Sequence, residues 1–138
     1  MGRWTELEHT ADVGLRVEAG DVGDLVATAI RGMFDVIGSA NFPAGERRAI
    51  EIEAHGETAA ERLRDALRAA LREFDRDGFF AVEARGADDG QVTRVTAVGG
   101  AFDPARHEFR TEIKGVTWHA LRVEQRGAIW QADVVFDV

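Results

Sequence analysis

Hydrophobic and polar positions change period several times along the chain, and each change marks an element. Val13, Leu15 and Val17 alternate with Gly14, Arg16 and Glu18, the two-residue period of a half-buried strand. Ahead of them, Trp4 to Glu8 is a first strand or an extended lead-in. Gly20-Asp21-Val22-Gly23 reads as a turn, with Asp21 or Asp24 placed to cap a helix. Leu25, Ala29, Ile30, Met33, Phe34 and Ile37 then recur at helical spacing until Gly38 and Ser39 stop the run. A loop over Asn41 to Gly45 leads into a short strand, Ala49 to Ala54.

The clearest helix follows, begun by Glu57 or Thr58 and ended by Asp77-Gly78. Leu63, Ala66, Leu67, Ala70, Leu71 and Phe74 form its apolar stripe, which reads as core packing. Arg62, Arg64, Asp65, Arg68, Arg72 and Glu73 are expected on the opposite face. Phe79 to Arg85 and Val92 to Val98 read as strands joined through Asp88-Asp89-Gly90, since Asp-Gly favours a hairpin turn. Gly99 to Arg110 is expected to be a loop and Glu112 to Gln125 one long strand. Arg126-Gly127 turns the chain into a last strand, Ala128 to Val138.

These elements predict one α+β domain spanning residues 1–138. It is a sandwich of two helices packed on a mixed or antiparallel sheet of about six to seven strands. Strand order is not readable from the pattern. The 138 residues, 45% of them hydrophobic, suffice for one core. The net charge of -8 disfavours direct, tight nucleic-acid binding as the main activity, and suits divalent cations, a basic protein partner or plain solubility. With no Cys, disulfides, thiolate nucleophiles and Cys-based zinc sites are excluded. No signal peptide and no membrane span are expected, which fits a cytoplasmic protein.

Four clusters carry possible chemistry. Glu8-His9-Thr10-Ala11-Asp12 sets two carboxylates four residues apart around a His and a Thr. Oxygen ligands of this kind suit calcium, magnesium or manganese. The same residues also suit a polar turn in which Asp12 accepts backbone amides. In the last strand, Asp133 and Asp137 fall opposite the apolar face, and Asp137 lies one residue from the carboxylate of Val138. Anions that close need a cation, an Arg or amide donors, unless solvent alone covers them. Thr117 and His119 share one face of the expected long strand, with Val116 and Trp118 on the other. Phe102-Asp103-Pro104 with Arg106-His107-Glu108 forms a binding loop or, as favoured here, a turn. Glycine-rich phosphate loops and G-x-S-x-G elbows are missing, and Ser39 stands in no catalytic context.

Taken in order, these motifs resemble the archease family. Glu8-His9-Thr10-Ala11-Asp12-Val13-Gly14 is similar to its D-H-T-A-D-[IV]-G opening, with Glu8 in place of the usual Asp. The likeness continues through Asp77-Gly78-Phe79, Phe102-Asp103-Pro104 and Thr111-Glu112-Ile113-Lys114. It closes with Val116-Thr117-Trp118-His119 and Phe136-Asp137-Val138. The resemblance implies a metal-binding, non-enzymatic cofactor of an RtcB-type GTP-dependent RNA ligase, promoting guanylylation and multiple turnover in tRNA splicing and RNA repair. It implies a divalent cation, calcium before magnesium or manganese, held by Asp12, Asp137 and the carboxylate of Val138, with Glu8 nearby. His9, Thr10, Thr117 and His119 would serve partner contact or a polar network. Alternatives are a metal-dependent phosphoesterase, a chaperone-like modulator of RNA-modifying enzymes such as a tRNA methyltransferase, or direct RNA binding, which predicts salt-sensitive association despite the negative charge.

Overall fold

The structure, a computed structural model, describes residues 2–7 and 12–138. Its strands are β1 (Arg3–Leu7), β2 (Val13–Ala19), β3 (Gly38–Ser39), β4 (Arg48–His55), β5 (Phe79–Asp88), β6 (Val92–Ala101), β7 (Glu108–Phe109), β8 (Gly115–Val116), β9 (Arg122–Arg126) and β10 (Ile129–Asp137). The helices are α1 (Val22–Ile37) and α2 (Ala59–Asp77). All pairing is antiparallel. One sheet runs β1-β2-β10-β8, with β9 also on β10; a second runs β4-β6-β5, and β3 pairs with β7. The α+β class and the two helices are as expected from the sequence.

Helix α1 is the centre of the molecule. Asp21 caps it, its carboxylate accepting the Asp24 amide at 2.8 Å. Val26, Ala27, Thr28, Ala29 and Ile30 are all buried, so the helix is covered on every side, as a helix lying between two layers must be. Gly23 and Gly32 show how closely the layers approach. They are nine positions apart, about two and a half turns, and therefore face opposite ways. A methyl on Gly23 would meet the Gly86 carbonyl oxygen of β5 at 2.5 Å; one on Gly32 would meet Leu15 of β2 at 2.9 Å. The core fills the space around α1 from both sheets, with Leu15, Val17, Phe34, Phe79 and Phe136 fully enclosed.

Helix α2 opens with a capping box, in which Thr58 accepts the Glu61 amide while Glu61 accepts the Thr58 amide. Its stripe is buried as expected, but Arg62 is not on the solvent face. Its side chain is only 5% exposed and forks onto Asp88 at 2.8 and 3.3 Å, with a third bond to the Gly56 carbonyl. Arg62 stands one position before Leu63, close enough to the buried edge to be drawn in by a carboxylate at the end of β5.

The expected long strand from Glu112 to Gln125 is two short ones, β8 and β9. The chain turns between them at Trp118 to Leu121, where Ala120 takes a left-handed φ of 58°. Both strands pair with the same edge of β10, β8 against its end and β9 against its beginning. Alternation of apolar residues alone does not reveal this break. The 99–110 segment is likewise less of a loop than expected, since β6 runs to Ala101 and β7 pairs with β3. Among the described residues no helix is long and apolar enough to cross a membrane.

Candidate functional site

The end of β10 is flanked by β2 on one side and by β8 on the other. Strand β2 pairs with β10 up to Val13 opposite Phe136. Continued one step, that register would set Asp12, a bend residue just before β2, opposite Asp137. Directly opposed residues of an antiparallel pair share a sheet face, with Cβ atoms about 5 Å apart. On the other side of β10, Asp137 is paired with Gly115, and its carbonyl accepts the Lys114 amide at 2.7 Å. Gly115 offers no side chain over the pair. One step inward, Val135 lies between Gly14 and Thr117, whose amide donates to the Val135 carbonyl at 3.1 Å. The outer face here is therefore lined by small residues, with two carboxylates at its rim. Val138 follows directly and is half-buried against the core.

Comparison with Asp133 on the same face is informative. Arg16 forks onto Asp133 at 2.8 and 3.2 Å and Arg122 adds a bond at 3.3 Å. The hydrogen bond from Arg16 holds the Asp133 carboxyl below the usual carboxylate range, with the nearby Arg16 and Arg122 charges in support and partial burial opposing. Asp12 and Asp137 have no such Arg. Among the described residues neither side chain has a hydrogen bond or ion pair. No group of three or more His, Asp or Glu side chains is set to hold a metal among those residues. A cation at this rim therefore has two side-chain carboxylates from the described residues, and further oxygens must come from the main chain, from solvent or from elsewhere.

Glu8, His9 and Thr10 lie outside the described residues. Thr117 and His119 stand in the turn after β8 and bond each other: the Thr117 hydroxyl accepts the His119 amide at 2.9 Å. The shared strand face expected for them is replaced by this local turn, with the His119 side chain exposed. Trp118 is 55% exposed instead of sharing a buried face with Val116, because the chain leaves the sheet there. Asp103 to His107 forms the favoured turn, closed by Asp103 accepting the Ala105 amide and by His107 Nδ1 accepting the Asp103 amide.

One feature of the surface was missed in the sequence. Between α2 and β8 lies an open cleft of about 470 Å³, lined by Arg64, Arg68, Arg72, Arg76 and Lys114, with Asp75 its single carboxylate. The signal was available in the four-residue spacing of the arginines, which a search confined to carboxylates and nucleophiles passes over.

The Archease protein family (MTH1598/TM1083) matches residues 4–138. The protein archease of Methanopyrus kandleri is 37% identical over 98% of this chain and 99% of its own. That of Pyrococcus furiosus is 31% identical over the full length of both. Among solved structures, Methanobacterium thermoautotrophicum protein 1598 superposes with a TM-score of 0.76 at 24% identity, covering 98% of each chain. A Thermotoga maritima protein described as an archease, possible chaperone, gives 0.68 at 20% identity over 97% of this chain and 96% of its own. The fold, the order of the motifs and these full-length matches agree: the chain belongs to the archease family.

Proposed function

We propose that this protein is a metal-binding accessory factor of an RtcB-type GTP-dependent RNA ligase, acting in the cytoplasm and performing no bond chemistry itself. The observation that carries this reading is the β2–β10 register, whose last pair, Val13 with Phe136, adjoins Asp12 and Asp137, two carboxylates with no cationic side-chain partner among the described residues, beside an Asp133 that has two. Adjacent carboxylates with no neutralising partner among the described residues are an invitation to a cation. The donors at this rim among the described residues are oxygens, so the set fits a hard divalent ion, calcium first and magnesium or manganese after it. Asp12, Asp137 and a main-chain oxygen of Val138 would hold it, with Glu8 of the opening motif a further candidate.

Such an ion supplies charge neutralisation for phosphoryl transfer. The chain's own part is to present that rim to a partner. Asp137 is the last residue of β10, where Lys114 holds its backbone from the far side, and Asp12 adjoins the start of β2. The acidic surface suits docking near a nucleotide site rich in positive charge. The possible-chaperone description of the Thermotoga relative fits an accessory role of this kind.

The test is guanylylation and multiple-turnover ligation by the cognate ligase, with wild-type protein, Asp12→Asn and Asp137→Asn. Stimulation by wild type and its loss in both variants is expected. Full stimulation by both variants would remove the site from the mechanism, and no stimulation by wild type would remove the partner.

A further inference from the structure

The geometry points to a second site: the cleft between α2 and β8 binds the phosphate backbone of single-stranded RNA, with Trp118 as a stacking platform at its edge. The inference does not rest on the ligase reading, because it concerns a different surface and a binding event the isolated protein can show.

The net charge of -8 hides a local concentration of cations. Arg64, Arg68, Arg72 and Arg76 recur at every fourth position of α2, so they form one row with about 6 Å of rise between neighbours. That rise is close to the separation of successive phosphates along an extended strand. Lys114, from the segment leading into β8, faces the row across the cleft. Arg76 is occupied by Glu73 and Asp77. Arg68, Arg72 and Lys114 have no anionic partner among the described residues. Three cations in one cleft, with Asp75 as its single carboxylate and no ion pair among them, repel one another, an arrangement that an incoming polyanion relieves. Arg64 registers the crowding: burial, and then the charge of Arg68, lower the pKa of its guanidinium.

Trp118 narrows the ligand to a nucleic acid. Its ring is 55% exposed, the most exposed of the large hydrophobic side chains among the described residues. Arg64 holds it in place, stacking its guanidinium 4.5 Å from the ring centre while donating to the Val116 carbonyl at 2.9 Å. A cation on an aromatic, next to a basic groove, is the combination with which proteins bind single strands irrespective of sequence. An acidic peptide would use the arginines but leave the indole without a role. The contact is short, about three phosphates, so it is weak and salt-sensitive, consistent with the acidic remainder of the surface.

The experiment is fluorescence anisotropy of a labelled oligouridylate at low and at physiological salt, with each variant's melting temperature as a folding control. Wild type is expected to bind at low salt with a slope of log affinity against log salt of about -2. Arg68→Gln/Arg72→Gln should lose about tenfold or more in affinity and reduce the slope by about 1 to 2. Trp118→Ala should lose about fivefold or more while keeping the slope. Arg94→Gln/Arg126→Gln, with the same change in net charge away from the cleft, should bind as wild type. Absence of binding at low salt, equal loss in the Arg94/Arg126 control, or an unaffected Trp118→Ala each overturns the proposal. So does tighter binding of a labelled poly-glutamate peptide, which would assign the cleft to an acidic protein segment. Asp12→Asn and Asp137→Asn should retain oligonucleotide binding, so failure of the cation site and failure of the cleft are read separately.

Discussion

Replacing Asp88 by Ala should be among the most damaging single changes outside the hydrophobic core. Asp88, at the end of β5, accepts two bonds from Arg62, one from the Thr93 hydroxyl and one from the Gly90 amide. The pair is 5% and 10% exposed. Without Asp88 the Arg62 guanidinium stays buried with only the Gly56 carbonyl. An uncompensated buried charge costs about 3–5 kcal/mol. At about 2.1 cal/mol/K per residue, 138 residues give about 0.29 kcal/mol/K, so the melting temperature should fall by roughly 10–17 °C. Arg62→Met should cost less, about 1–3 kcal/mol, because Asp88 keeps Thr93 and Gly90 as donors. The double variant should be more stable than the sum of the singles implies, by at least about 1 kcal/mol. Urea unfolding followed by circular dichroism, in low and in molar salt, measures all three, and burial should keep the penalty in high salt. Costs under about 1 kcal/mol, as for an exposed pair, or strict additivity, would refute the reasoning.

Three further outcomes are expected. Asp133 has its folded-state pKa depressed, so its contribution to stability is present above the unfolded carboxylate range and is lost as pH falls through the folded value. Asp133→Asn should therefore flatten the acid limb of a stability-against-pH curve below about pH 4, measured by urea unfolding. Asp75, the lone carboxylate of the cleft, has its pKa raised by burial and then by the charge of Glu112. Asp75→Asn should bind oligouridylate more tightly than wild type by anisotropy, and weaker binding would contradict the electrostatics of the cleft. Gly32→Val forces a branched side chain into Leu15 and Trp4, and should lower stability by about 1–3 kcal/mol in thermal unfolding.

Helix boundaries were the most legible part of the sequence, because their signals are local. Asp21, Thr58 and Gly78 cap where their chemistry says they should. The β5–β6 hairpin was legible for the same reason, Asp89 accepting the Gln91 and Val92 amides within its own turn. What failed depended on distant partners. The polar face assigned to Arg62 was wrong because a carboxylate 26 residues away draws it inward. The 112–125 segment was read as continuous because Thr111 to Val116 and Leu121 to Gln125 both look extended. Only the shared edge of β10 shows that they are separate strands. The family resemblance names Asp12 and Asp137 for one site, and the last pair of β2 on β10, Val13 with Phe136, adjoins both of them. Trp118 was placed inward by alternation, which has no meaning once the chain leaves the sheet.

Calcium titration calorimetry on the isolated protein measures whether Asp12 and Asp137 jointly hold one divalent cation, as proposed. Wild type should bind a single ion. Asp12→Asn and Asp137→Asn should each abolish most of the affinity, and the double variant should be little worse than either, because both carboxylates serve one ion. Calcium affinity unchanged in both single variants, or no divalent binding by wild type with calcium, magnesium or manganese, would contradict it.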